Sequence, residues 1–112
     1  MVLLFKPEHV EPILRGEKTQ TRRVWKQCRA KIGAIHKAKL KMLSRDYFAL
    51  LKIMGTRQER LGDISEADAR AEGGYTIEGY RRKWIEISGS WDPDQSVYVV
   101  DFVKVAEGRR SS

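Results

Sequence analysis

The segment Gly16-Glu17-Lys18-Thr19-Gln20-Thr21-Arg22-Arg23 gathers a turn glycine, a lysine, two threonine hydroxyls and an arginine pair into eight residues. Guanidinium forks and hydroxyl donors match the anionic oxygens of phosphate or carboxylate. The segment also opens a run from Lys18 to Arg45 that holds ten cations and no acidic residue. Lys18 and Thr21 face opposite sides of an extended chain but share a face in a helical turn. Joint chemistry by the two therefore needs a turn, which Gly16 is placed to permit. Two uses follow. Thr21 can act as a nucleophile if a neutral Lys18 takes its proton, with burial or the Arg22 and Arg23 charges lowering the lysine pKa. Alternatively, charged Lys18, Arg22 and Arg23 hold an anion while Thr19 or Thr21 donates a hydrogen bond. Taken alone, the residue types favour binding over catalysis.

Other candidates lie downstream. Glu72 ends a predicted helix just before Gly73-Gly74, where a carboxylate opposes the helix dipole. That unfavourable placement points to a use elsewhere, against the plain reading of a surface glutamate. Tyr75, Tyr80, Trp84 and Trp91 can form a stacking wall for a nucleobase. At helical spacing, Tyr80 and Trp84 also read as core, which leaves Trp91 as the pocket aromatic. Lys37, Lys39 and Lys41 alternate along one face of a predicted strand. They read equally as a nucleic-acid strip or as a solvated face guarding a sheet edge. His36 falls on the apolar face as an inner, hydrogen-bonded histidine, and His9 on the surface.

A chain of 112 residues supports one domain with a modest core. Hydrophobic residues at 41% and charged residues at 33% fit a globular chain. The net charge is +7, unevenly placed: residues 1–56 carry thirteen Lys/Arg against four Asp/Glu, whereas residues 57–112 carry nine against eleven. The balance favours nucleic acid or an acidic partner. No long apolar run or basic amphipathic helix supports a membrane role. The opening Met1–Phe5 is too short for a signal segment. A lone Cys28 fits a reducing cytoplasm, and two histidines with one cysteine offer no zinc site of the usual spacing. No metal or cofactor is expected, and no protein partner is identified.

The elements that must position these residues follow from pattern. Val2–Phe5 reads as a buried strand, and Pro7 opens a helix carrying Val10, Ile13 and Leu14, capped by Gly16. Pro12 belongs in its first turn or at a kink. Residues 17–32 read as loop or irregular strand, and 34–42 as an alternating strand. Tyr47 to Leu61 reads as a long strand bent at Gly55. Ser65 caps a helix with Asp68 as capping-box partner, and Gly73-Gly74 end it. A second helix spans about Ile77 to Ile87. Val97–Val105 is the strongest strand, and 107–112 a frayed tail beyond a single domain of residues 1–106. The expected class is α+β, with antiparallel neighbours closing into a small barrel and helices flanking it.

The chain resembles the ASCH domain, a family within the PUA-like superfold. The resemblance rests on Lys6-Pro7-Glu8-His9 after the first strand, the Gly-x-Lys-x-x-Thr-x-Arg pattern from Gly16 to Arg23, and Gly33 before a strand. It continues through Arg60-Leu61-Gly62-Asp63-Ile64-Ser65, Asp68 to Gly73, Trp84, Trp91-Asp92 and the closing Val99-Val100-Asp101-Phe102. It implies a small PUA-like β-barrel with flanking helices around a cleft that binds RNA or its precursors. One bacterial branch is an amidohydrolase that removes the acetyl group from an N-acetylated cytidine nucleoside. Its catalytic lysine, threonine and glutamate fall here on Lys18, Thr21 and Glu72. The chain departs from that branch in its longer middle, its tryptophan-bearing second helix and Arg22. A metal-dependent ribonuclease branch would need a carboxylate cluster that this sequence does not display. The candidate ligand contacts, read from the residues themselves, are Thr19, Arg22, Arg23, Lys37, Lys39, Lys41, Tyr75, Trp84 and Trp91.

Overall fold

The structure, a computed structural model, describes residues 2–109. Strand β1 (Val2–Leu4) leads into a 3-10 turn (Pro7–His9) and the short helix α1 (Val10–Leu14). Pro12 is the third residue of α1, in the first turn, where a missing N–H removes no helical bond. Gly16 then takes a left-handed φ of 78° and reverses the chain. The Glu17 and Lys18 amides both donate to Pro12 O at 2.9 and 3.0 Å, which fixes the entry to the octapeptide.

Strand β2 (Gln20–Arg23) forms within the stretch expected to be irregular, followed by β3 (Ile35–Lys39), β4 (Tyr47–Arg60) and β5 (Ser96–Arg109). Helix α2 (Glu66–Gly73) is capped by the Ser65 hydroxyl, which accepts from the Asp68 amide at 3.1 Å. Helix α3 (Ile77–Ser88) follows after Gly74, whose left-handed conformation closes α2. No helix among the described residues is long and apolar enough to cross a membrane.

The five strands form one mixed sheet in the order β1-β3-β4-β5-β2. Three neighbour pairs are antiparallel, but β1 runs parallel to β3, with Val2 opposite Lys37. The long crossover between β1 and β3, which holds α1 and β2, allows that direction. The expected barrel is not closed among the described residues: β1 and β2 are the two sheet edges and no backbone ladder there joins them. The Arg23 side chain spans this seam, donating to Leu4 O at 2.6 Å. The long β4–β5 ladder shifts register between Ile53 and Gly55, where the bend was expected. β5 continues to Arg109, with Glu107 opposite Ala49, so residues 107–109 are strand rather than tail; 110–112 lie outside the described residues.

Alternation along β5 divides the core in two. Val100 and Phe102 join Leu3, Phe5, Phe48 and Leu51 in one cluster. Val97 and Val99 join Leu61, Ala69 and Tyr80 beneath α2 and α3. His36 is fully buried as expected, but neither ring nitrogen has a hydrogen-bond partner among the described residues.

Candidate functional site

A cleft of about 670 Å³ lies between the β1–β2 seam and α3. Lys18, Thr21 and Glu72 all line it. They reach it from three separate places: the turn after α1, strand β2, and the last turn of α2. Lys18 is 2% exposed and Glu72 3%, so both are withdrawn from bulk water. The Lys18 ammonium donates to Glu72 Oε1 at 3.0 Å, to Glu72 O at 2.7 Å and to Gln20 O at 3.0 Å. Three protons thus meet three acceptors. Burial pushes the Lys18 pKa down, and the Glu72 charge opposes that shift.

Period-2 alternation along β2 sorts the rest of the octapeptide into two networks. Gln20 and Arg22 point one way. The Arg22 guanidinium donates to Glu72 Oε2 at 3.0 Å, to Glu59 Oε1 at 2.5 Å, to Asp68 Oδ2 at 3.2 Å and to Gln20 Oε1. Gln20 Nε2 donates to Asp101 Oδ1 at 2.7 Å and to Asp68 Oδ1 at 3.2 Å. Arg57 meets the same acids from the solvent side, reaching Asp68 Oδ2 at 2.9 Å. Burial alone would lower the Arg22 pKa, but Glu59 and Glu72 outweigh it and hold the guanidinium firmly charged. Burial raises the Asp68 carboxyl, yet Gln20, Arg22 and Arg57 more than offset it, and its pKa falls.

Thr21 and Arg23 point the other way. Arg23 Nε donates to Thr21 Oγ1 at 3.1 Å, and its guanidinium lies 5.0 Å from the centre of the Phe5 ring. Burial lowers the Arg23 pKa, against the opposing influence of Glu72 and Tyr80. Facing this pair, Tyr75, Tyr80 and Trp84 form an aromatic wall. Tyr75 and Tyr80 meet edge to face at 5.9 Å, and Tyr80 and Trp84 lie 6.2 Å apart. Burial raises the Tyr80 phenol, keeping it a neutral donor.

The expected ligand contacts divide accordingly. Arg22, Arg23, Lys41, Tyr75 and Trp84 line the cleft; Thr19, Lys37, Lys39 and Trp91 do not. Thr19 serves through its backbone, donating to Ala71 O at 2.7 Å and accepting from the Phe102 amide at 2.9 Å. Trp91 packs on the core cluster under α2 and α3, 5.7 Å below the Arg81 guanidinium. Trp84 touches that same cluster and also faces the cleft. The lysine strip breaks up because β3 stops at Lys39. Lys37 sits 5.2 Å over the Tyr47 ring, Lys39 donates to Ser44 O at 2.6 Å, and Lys41 alone turns into the cleft. β3 is an inner strand, so the edge-guarding alternative does not hold either.

Three basic cleft residues were not singled out as contacts from the sequence. Lys6 lines the mouth, and Lys83 is bridged to Glu8 at 3.0 Å. His9, read as surface, is half-buried in the lining. Its pKa falls to about 4, chiefly through burial and then through the Lys18 charge. The motif pattern around Pro7 hinted at none of this, because the half-burial of His9 depends on the fold around the cleft.

No family model matches the chain, and no curated protein matches it in sequence. Solved structures do match in shape. An ASCH domain from Lactobacillus crispatus aligns with a TM-score of 0.61 at 17% identity, over 87% of this chain and 70% of that one. Protein EF3133 from Enterococcus faecalis aligns at 0.65 and 15% identity, over 89% and 68%. The ASCH protein of Zymomonas mobilis aligns at 0.63 and 13% identity, over 95% and 68%. The fold of this chain is therefore the ASCH, PUA-like fold. At these identities the likeness defines architecture, and the chemistry must be argued from the site itself.

Proposed function

We propose that the chain binds RNA or a nucleotide in this cleft. The observation that carries the reading is the composition of the lining: an aromatic wall from α3 and its lead-in, with six cations and a single carboxylate around it, Lys18 and Arg22 of the six being already bound to that carboxylate. The cations are Lys6, Lys18, Arg22, Arg23, Lys41 and Lys83, and the carboxylate is Glu72. A volume of about 670 Å³ lies within the usual range for small-ligand sites. Stacking on Tyr75 or Trp84 is sequence-tolerant, and the cations suit phosphate oxygens. Thr21 accepts from Arg23, which leaves its own proton to donate to a ligand. The test is a titration of 5′-mononucleotides and short single-stranded RNA at low salt, read by calorimetry and tryptophan fluorescence. Binding should weaken steeply as salt rises. Absence of any binding at about 50 mM salt would refute the reading.

A second reading draws on one observation: Lys18, Thr21 and Glu72 share the cleft. In that reading the chain is an amidohydrolase acting on an N-acylated cytidine-type nucleoside. Thr21 Oγ1 would attack the amide carbonyl, Lys18 would take its proton, Glu72 would assist transfer to the leaving amine, and water would then hydrolyse the acyl-Thr21 ester to free acid and the restored hydroxyl. A neutral amine carries two protons, so Lys18 would surrender one of its three present contacts. The burial that lowers its pKa works in that direction. Incubation with N4-acetylcytidine, followed by chromatography for cytidine, tests this directly. No cytidine, or full turnover in Lys18→Ala, counts against it.

A further inference from the structure

The two neighbouring arginines differ in one respect that bears on the ligand. Arg22 is surrounded by Glu59, Asp68 and Glu72. Arg23, one residue on, takes part in no ion pair among the described residues. Of its five N–H groups, one serves Thr21 Oγ1 and one serves Leu4 O; the other three find no acceptor among the described residues. Arg23 lines the cleft. Arg23 is partly exposed, so its unpaired N–H groups open onto the cleft, where a ligand anion can accept charge-assisted hydrogen bonds from them. The Glu72 carboxylate acts on Arg23 only through space: its hydrogen bonds go to Lys18 and Arg22, and it makes no ion pair with Arg23 among the described residues.

The cleft is polarised in the same sense. Lys6 and Lys41 stand with Arg23 on the strand side, both exposed and without an ion-pair partner among the described residues. Tyr75, Tyr80 and Trp84 form the helix side. We infer that Arg23 is the phosphate receptor of the cleft, so that the ligand carries its phosphate inward at the β1–β2 seam and its base against α3. This rests on the nucleotide reading above and narrows it, because a neutral nucleoside leaves Arg23 unsatisfied. The shared chemistry is a phosphate ester, whether the monoester of a free nucleotide or a diester in an RNA strand.

The experiment compares a nucleoside, its 5′-monophosphate and the matching dinucleoside monophosphate by calorimetry on the wild-type chain. Inorganic phosphate serves as competitor. The monophosphate or the dinucleotide should bind about tenfold to hundredfold tighter than the nucleoside, the range for a charge-assisted contact. Which of the two leads identifies monoester or diester. Inorganic phosphate should displace the winner. Arg23→Gln, checked for folding by circular dichroism, should reduce the phosphate preference to about twofold or less. If that variant does not fold, the wild-type affinity ratio and the phosphate competition decide. Equal binding of nucleoside and nucleotide, or a preference unchanged in folded Arg23→Gln, overturns the inference alone. Binding of none of the three overturns the nucleotide reading and the inference together.

Discussion

Glu72→Gln gives the sharpest test of how the cleft floor is held together. The native carboxylate is 3% exposed and offers one oxygen to Lys18 and the other to Arg22, each at 3.0 Å. Glutamine keeps the shape but has only one oxygen. Its amide group must then aim two N–H donors at either Lys18 Nζ or Arg22 Nη1, so one cation meets a donor in place of an acceptor. Breaking a buried pair by removing one charge costs about 3–5 kcal/mol. Arg22 retains Glu59 and Asp68, and Lys18 retains two backbone carbonyls, which places the expected loss near the lower end, about 3 kcal/mol. For a domain of 112 residues this corresponds to a fall in Tm of about 12 °C. The assay is thermal melting with urea titration, in which the midpoint should fall while the m-value stays constant. Adding Lys18→Met should recover part of the loss, giving a coupling of about 2 kcal/mol between the two sites. A Tm drop below about 4 °C, or strict additivity in the double variant, refutes the account of Glu72 as the shared counter-charge.

Acid should weaken the fold through His9. Its folded pKa of about 4 lies below the ordinary 6.5, so the unfolded chain takes up the proton first and stability falls as pH drops from 6.5 to 4. The full shift would amount to about 3 kcal/mol, which solvent contact of the half-buried ring reduces to about 1 kcal/mol. Partnerless His36, whose pKa burial also lowers, adds to the same slope, so His9→Gln should flatten it in part. Gly74→Ala and Gly89→Ala should each lower Tm, by similar amounts. Both positions have left-handed φ, worth about 1–2 kcal/mol to a side chain, and the Glu17 carboxylate that a new Cβ at Gly74 would meet is the exposed end of a flexible side chain that can swing aside. Trp91→Ala should lower stability and leave ligand affinity unchanged, whereas Trp84→Ala should lower both, measured by melting and calorimetry at a temperature where each variant is folded. Loss of affinity in Trp91→Ala would show that the cleft extends beyond its present lining.

What the sequence revealed depended on how local each signal was. The Ser65 cap, the Gly73-Gly74 stop and the alternating β5 are written in a few neighbouring residues, and all appear in the structure. Strand β2 is only four residues long, without apolar alternation, and exists because β5 offers it a ladder; nothing within residues 17–32 announces it. The parallel β1 and the open seam likewise depend on how distant segments meet. The site shows the same division. Lys18, Thr21 and Glu72 were legible as a set, and they share one cleft. The differing surroundings of Arg22 and Arg23 were not, because their types are identical. Only strand alternation and the acids brought up by β4 and α2 tell them apart. Trp91 was misjudged because an aromatic in a turn-rich loop looks accessible until the core it covers is known.

The place of β5 in the sheet has a consequence for how the chain is made. Among the described residues β2 has only β5 as a neighbour, although some seventy residues of sequence separate them. A polypeptide leaving the ribosome therefore carries Lys18, Thr21 and the two arginines long before their scaffold exists. Until Val97 to Phe102 emerge, the octapeptide lacks the strand it pairs with, and the central β4 lacks its longest ladder. The site should accordingly form late, once β5 is made, as expected for strand pairings of high contact order. A nascent chain halted before Ser96 should be protease-sensitive throughout and should hold no cleft.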